Sequence, residues 1–471
     1  MVASGLEMAD LLVGFGVYLR LASLELLLFA SVFILIFGAG DVLVDALWLG
    51  QPRARKTVDP LEDESRPHHR LAIFIPAWRE AAVIGRTLDH LASSWHGERY
   101  RLYVGCYRND AATLLKVATE AVINPQLRVV VHDADGPTTK ADCLNALWTA
   151  MRADERDQAD RFDAVILHDA EDYVDPGELA VFDHALSDYA FVQIPVVPLL
   201  PTRGHWIAGH YADEFAEAHQ KELAVRRLIG APLPAAGVGC AFRRDALDAM
   251  SERGNPFRAE SLVEDYECGL AVSAAGLPTA FLRQRDGDGA LIAVRSYFPD
   301  RIDDAVRQKA RWITGIALTG WDRIGWLTGR SLRALAGNWM LWRDRRAMLA
   351  AVVTLAGYLG AVGLVASEAI GQASGTDLAH VPDQLRILLG GGFAVLTWRL
   401  VMRYVCTTRL YGHRQGLRAV PRVLVSNIVA ILAARRALTR YLASLAGADL
   451  VWDKTEHARP HGSAASRRAV S

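Results

Sequence analysis

Three apolar runs divide this chain and limit what it can fold into. Leu26 to Gly40 carries no charge, and its apolar character extends to about Leu49, past Asp41 and Asp45. That is long enough for one membrane helix, and it lacks the basic start and small-residue cleavage site of a secretory leader. Leu349 to Ser367 is a second uncharged run, rich in Ala and Gly. Ile387 to Val405 is a third, interrupted at its far end by Arg399 and Arg403. Basic residues gather on one side of all three: Arg53, Arg55 and Lys56 after the first, Arg343, Arg345 and Arg346 before the second, and Arg399 through Arg422 at the end of the third. The loop between the second and third runs carries Glu368, Asp377 and Asp383 instead. The positive-inside rule therefore predicts an external amino terminus and a cytoplasmic stretch from Gln51 to about Arg346.

Smaller features complete this division. Trp321, Trp326, Trp339 and Trp342 alternate with Arg, which suits helices lying among lipid headgroups. Val423 to Ala434 is 12 residues long with Arg on both flanks, so it reads as interfacial rather than spanning. The polar tail from His457 is expected to be disordered. The expected organisation is a transmembrane helix over 1–50, a cytoplasmic domain over 51–320 and interfacial helices over 321–346. Two transmembrane helices follow over 347–406, then an interfacial helix and tail over 407–471.

The soluble stretch alternates strand and helix. Strands are predicted at Leu71–Pro76, Arg101–Tyr107, Leu127–His132, Ala164–His168 and Phe191–Val197. Helices fall between the early strands: Glu80 to Ser93, one from Ala111, and Thr139 to Met151. Such alternation implies an α/β fold with a mostly parallel sheet and right-handed crossovers. No G-x-G-x-x-G follows the first strand, which argues against a dinucleotide fold. The formal charge of -1 gives no electrostatic case for nucleic acid, and five widely spaced cysteines read as buried, reduced thiols.

Phe162 to Leu167 leads into His168-Asp169-Ala170-Glu171-Asp172, an acidic cluster at the carboxyl end of a buried strand. Ligands bind at that edge of open α/β sheets, and oxygens so placed suit a hard cation such as Mg²⁺ or Mn²⁺ neutralising a diphosphate. Tyr107 and Asp110 follow the second strand at the same edge and are candidate nucleotide contacts. His205 to Arg227 reads as a helix along the cleft, and Gly237 and Gly239 allow close backbone approach to a ligand. Glu264-Asp265 opens a helix. Gln308, Arg311 and Trp312 are spaced by three and four, so they share a helix face. His132, His168 and His219 read as structural.

These motifs, in this order, resemble membrane-anchored family-2 glycosyltransferases of the GT-A (Rossmann-like) fold, over roughly Leu71 to Trp321. Ile75-Pro76-Ala77-Trp78-Arg79-Glu80 is similar to the family's opening nucleotide motif, which implies donor contacts from Pro76, Ala77 and Glu80. Lys140-Ala141-Asp142-Cys143-Leu144-Asn145 resembles its donor-side segment, implying roles for Lys140 and Asn145. Asp169-Ala170-Glu171 takes the place of the D-x-D metal motif. Glu171 stands where most relatives have Asp, so either Glu171 or Asp172 completes the site with Asp169. Glu264-Asp265 resembles the acidic pair that supplies the catalytic base. Gln308-Lys309-Ala310-Arg311-Trp312 matches the Q-x-x-R-W signature of processive members.

Within the family the wording is closest to the bacteriophage N4 adsorption protein B type of inner-membrane enzyme. His168 through Asp172, Gly136-Pro137-Thr138 leading into Lys140, and Asp213-Glu214-Phe215-Ala216-Glu217 all resemble that type. The sequence stops soon after the membrane helices, without the further carboxyl-terminal domain of such proteins.

The resemblance implies inverting transfer from a nucleotide-sugar, with UDP favoured, to a glycan or lipid-linked hydroxyl at a bacterial inner membrane. A growing glycan would pass to an export or outer-membrane partner. In this reading Asp265 is the base, Arg311 adds fixed positive charge, and Gln308 and Trp312 meet the acceptor. Two rivals are a non-catalytic membrane scaffold that keeps the fold and a nucleotidyltransferase. The scaffold has no need of Asp169, Glu171, Asp265 and Arg311 together, and the nucleotidyltransferase leaves Q-x-x-R-W unexplained.

Overall fold

The computed structural model describes residues 2–51, 69–95, 99–201, 205–252, 254–377 and 380–447, without the side chains of residues 2–10 and 205. Arg53, Arg55, Lys56 and the polar tail from His457 lie outside the described residues. A long helix α1 (Val2–Leu49) precedes the α/β region. That region runs β1 (Leu71–Pro76), α2 (Ile84–Ser94), β2 (Tyr100–Tyr107), α3 (Ala111–Ile123), β3 (Leu127–His132), α4 (Lys140–Gln158) and β4 (Ala164–Leu167). It continues through α5 (Glu178–Ala185), β5 (Phe191–Gln193), β6 (Val196–Leu199), α6 (His205–Glu217), a π-helical turn (Ala218–Glu222) and α7 (Leu223–Leu228). Next come β7 (Cys240–Arg243), α8 (Arg244–Met250), α9 (Glu264–Ala274), β8 (Thr279–Phe281) and β9 (Val294–Tyr297). Then α10 (Ile302–Ile313) passes through a second π-helical turn (Thr314–Thr319) into α11 (Gly320–Ile324). Four helices follow: α12 (Leu332–Arg345), α13 (Ala347–Ser374), α14 (Asp383–Tyr411) and α15 (His413–Leu445).

The main sheet has the order β3-β2-β1-β4-β7-β5-β8. The first four strands are parallel, β7 is antiparallel to both neighbours, and β5 and β8 pair in parallel. Because side chains alternate along a strand, β1 feeds two cores. Leu71, Ile73 and Ile75 pack with Ile84, Leu88, Leu91 and Val117, while Ala72 and Phe74 pack with Leu144, Leu147 and Trp148. All five cysteines are free and buried, as their spacing implied.

The expected fifth strand, Phe191–Val197, is two strands. Pro195 stands between them and offers no N–H, so β5 ends in the main sheet and β6 pairs with β9 in a second, two-stranded sheet.

Among the described residues four helices, rather than three, are long and apolar enough to cross a membrane: Leu11–Leu49, Ala347–Ser374, Asp383–Tyr411 and His413–Leu445. The fourth contains the segment expected to be a short interfacial helix. Arg422, which marked its flank, is buried and neutralised by Asp213 through bonds of 2.7 and 2.9 Å, so the helix runs on through it. Helix α1 lies along α13 by meeting small residues: a Cβ on Gly360 would come within 2.9 Å of the Leu27 side chain.

The stretch from α6 to α7 joins the α/β region to these helices through ion pairs. Glu217 meets Arg403 of α14 at 3.0 Å, and Lys221 meets Asp45 of α1 at 2.7 Å. Glu222 meets Arg343 of α12 at 3.1 Å. Glu214 accepts from Lys309 of α10 at 2.6 Å and from Ser426 of α15. Trp321 and Trp326, expected among headgroups, pack edge to face at 5.2 Å with the Arg345 guanidinium over both.

Candidate active site

One cavity at the carboxyl edge of β1, β2 and β4 gathers most of the singled-out side chains. Pro76, Ala77, Glu80, Tyr107, Lys140, Asp169, Glu171, Asp172, Asp265, Gln308, Arg311 and Trp312 all line it.

Each is placed by a local device. The loop after β1 turns at Arg79, whose φ of 55° is uncommon for a side chain that is not glycine. Asp110 holds this loop: its Oδ2 accepts from the Arg79 N–H at 2.5 Å while Oδ1 caps α3 at the Thr113 N–H. Asp110 thus holds the loop and is not among the residues that line the cavity. Tyr107 lies beneath Trp78, edge to face at 5.0 Å, with its hydroxyl 2.7 Å from Thr138 Oγ1.

Thr139 and Asp142 form a capping box that starts α4, which puts Lys140 at its first position. The Lys140 ammonium lies 2.7 Å from Asp169 Oδ1. Burial opposes its charge, yet Asp169, Asp265 and Glu264 hold it well above the ordinary lysine range. Asn145, further along α4, spends its amide on the backbone of Phe257, donating to O at 2.6 Å and accepting from N at 3.1 Å. It tethers that segment and is not among the residues that line the cavity.

Asp169, Glu171 and Asp172 all line the cavity, but Asp172 Oδ2 also accepts from the Asp169 N–H at 2.9 Å and lies 3.2 Å from His168 Nδ1. His168 also meets Glu178 at 2.8 Å. Burial works against its charge, but Glu178 and Asp172 hold its imidazolium up to about 10. Asp172 thus braces the loop. Its Oδ1 is buried with no hydrogen-bond partner. Among the described residues no three His, Cys, Asp or Glu converge on one point. Two hard carboxylates in a cavity suit Mg²⁺ or Mn²⁺, which fills its shell with phosphate oxygens and water. Burial pushes the nearby Cys143 thiol up to about 12, so it offers no thiolate for a softer metal.

Asp265 sits in the first turn of α9, its Oδ1 accepting from the Tyr266 N–H at 2.7 Å. Gly237, at φ +79°, lies directly against it: a Cβ there would fall within 1.9 Å of Asp265 Oδ2. The adjacent Glu264 lines a separate cavity with Glu267 and Arg323, so the acidic pair does not act on one space. Burial, then the charge of Asp265, raises the Glu264 carboxyl to about 7.

Helix α10 presents Gln308, Arg311 and Trp312 together, as their spacing implied. Gln308 Oε1 and Arg311 Nε are buried without hydrogen-bond partners, while Arg311 Nη1 donates to Leu262 O at 3.4 Å. Unpaired buried polar atoms are costly and rare. Trp312 stands perpendicular to Tyr211, 6.1 Å away.

A Glycosyltransferase-like family 2 model matches residues 67–315, more than half of the sequence and every residue that lines this cavity. The chain belongs to that family. It is 34% identical over 413 residues to Bacteriophage adsorption protein B of Escherichia coli K12 and equally to Bacteriophage N4 adsorption protein B of E. coli O157:H7. Each alignment covers 83% of this chain and 55% of the relative, so the chain spans about half the length of the curated relatives it matches. The fold is also similar to that of the Pyrobaculum calidifontis mannosyltransferase PcManGT in complex with GDP-Man and Mn²⁺. The TM-score is 0.53 at 17% identity, covering 88% of this chain and 99% of the other. The mostly parallel sheet is accordingly the GT-A fold.

The sequence reading missed Trp78, Ser296, Tyr297 and Phe298, which also line the cavity. The last three arrive through β9 of the second sheet. The aromatic pair Tyr297-Phe298, closing a short strand just ahead of Q-x-x-R-W, was the signal available.

Proposed function

We propose that this glycosyltransferase inverts configuration as it moves a sugar from a nucleotide-sugar, most naturally a UDP-sugar, to a hydroxyl of a glycan or lipid-linked acceptor. The observation that carries this reading is the meeting of Asp265, the Lys140–Asp169 pair and the unpaired polar atoms of Gln308 and Arg311 in one cavity.

Pro76, Ala77, Glu80 and Tyr107 bind the nucleoside end of the donor. Asp169, with Glu171 or Asp172, would hold Mg²⁺ or Mn²⁺, and the bound ion would supply charge neutralisation for the departing diphosphate. Lys140 and Arg311 add fixed positive charge where negative charge grows. Asp265 takes the proton of the acceptor hydroxyl on the face opposite the leaving group, which inverts the anomeric centre. Trp312 offers a flat apolar face to the acceptor sugar, and Gln308 Oε1 accepts one of its hydroxyls. The α/β domain works on the cytoplasmic side of a bacterial inner membrane, and the product passes to an export or outer-membrane partner.

The test is nucleoside-diphosphate release by purified protein in detergent across UDP- and GDP-sugars, with Mg²⁺, Mn²⁺ or chelator. Release that needs the ion and yields a glycosylated acceptor is expected. Silence across the panel from folded protein would favour the scaffold reading, and pyrophosphate release from a nucleoside triphosphate would favour a nucleotidyltransferase.

A further inference from the structure

At the membrane junction most guanidinium groups face carboxylates: Arg343 and Arg346 meet Asp41, Arg403 meets Glu217, and Arg422 meets Asp213. Others do not. Among the described residues Arg283, Arg285 and Arg409 have no carboxylate partner; Arg285 donates to Gly289 O, and Arg409 lies over the Trp48 ring at 4.6 Å.

Their placement is specific. Arg283 and Arg285 stand on the arm that follows β8, which folds back on itself through the Arg285–Leu291 bridge. Leu291 and Ala293 from the returning limb pack with Cys406, Leu410, Tyr411 and Trp48. The arm is thereby fastened beneath the end of α1, which carries Trp48, and the last turn of α14, which carries Arg409. Desolvation first, then like charge from Arg285 and Arg409, pushes Arg283 down to about 10. An indole at the end of a membrane helix belongs at headgroup depth. A phosphate diester at that depth supplies the missing anion.

We propose that Arg283, Arg285, Arg409 and Trp48 form a binding site for the phosphate of an anionic phospholipid headgroup. The lipid pins the arm, and with it the sheet that delivers Tyr297 and Phe298 to the cavity, against the bilayer surface. The site rests on α1 and α14 crossing the bilayer, not on which sugar is transferred. Resistance of the protein to alkaline carbonate extraction from membranes checks that premise separately.

The experiment is native mass spectrometry of the full chain in detergent, titrated with phosphatidylglycerol or phosphatidylcholine, with inorganic phosphate as competitor. Selective retention of phosphatidylglycerol is expected. It should weaken by about fivefold for each arginine replaced in the series R283Q, R285Q, R409Q, and stay unchanged in R156Q, at an exposed position at the end of α4. Equal retention of both lipids, an unaltered preference in the triple variant, or displacement by millimolar inorganic phosphate would each overturn the proposal. The single variants, read beside their unfolding temperatures, keep the test decisive if the triple variant fails to fold.

Discussion

The membrane junction and the cavity use the same residue types in opposite ways. Along α6 and the π-helical turn after it, charges are closed into pairs: Asp213 with Arg422, Glu217 with Arg403, Lys221 with Asp45. In the cavity, a few helix turns away, Gln308 Oε1 and Arg311 Nε are buried and open. The two regions even share a helix, because Lys309, paired with Glu214, lies between Gln308 and Arg311. Closed pairs fix the domain to its membrane helices. Open polar atoms cost stability.

The contrast can be broken at the junction with the largest effect. Replacing Arg422 by Leu leaves Asp213 buried and unpaired, and the expected loss is about 3–5 kcal/mol of unfolding free energy. Replacing both Asp213 and Arg422 by Leu should restore much of it, which denaturant titration of the two variants would show. Equal losses in the single and double variants would mean that the pair contributes nothing through its charges.

In the cavity the expectation reverses. Arg311→Ala should lower transfer by about 10²-fold while leaving the unfolding midpoint nearly unchanged. A large stability loss with proportionate activity would assign Arg311 to the scaffold.

The smallest effect concerns Glu264. Its folded-state carboxyl is raised to about 7 from 4.5, so the folded state binds its proton more tightly than the unfolded chain does. That contribution is fully present below about pH 4.5 and is lost as pH rises toward 7. Glu264→Gln should therefore gain on wild type in unfolding temperature between those limits and hold the gain at pH 8. Parallel pH profiles would show that the carboxyl is not strained.

Much of this was legible in the sequence because the informative residues are contiguous. Buried runs such as Ala164–Leu167 declare parallel strands, and Q-x-x-R-W shows its common face by spacing alone. What escaped depends on distant partners. Arg422 reads as a polar flank until Asp213, 209 positions earlier, is seen to neutralise it, and so α15 looked short. Asp110 and Asn145 carry side chains equally suited to ligand and backbone, and they bond to the backbones of Arg79 and Phe257, 31 and 112 positions away. Asp172 is claimed by His168 and the Asp169 N–H, which no count of acidic residues could show.

The most direct test of a transfer centre built around Asp265 compares wild type with Asp265→Asn in detergent, with Mn²⁺, donor and acceptor, following nucleoside-diphosphate release and donor binding together. Transfer should fall by about 10²–10⁴-fold in the variant while donor affinity and the unfolding midpoint stay near wild type. Transfer persisting at the wild-type rate would contradict the account, because the carboxylate placed against Gly237 would then not be the base.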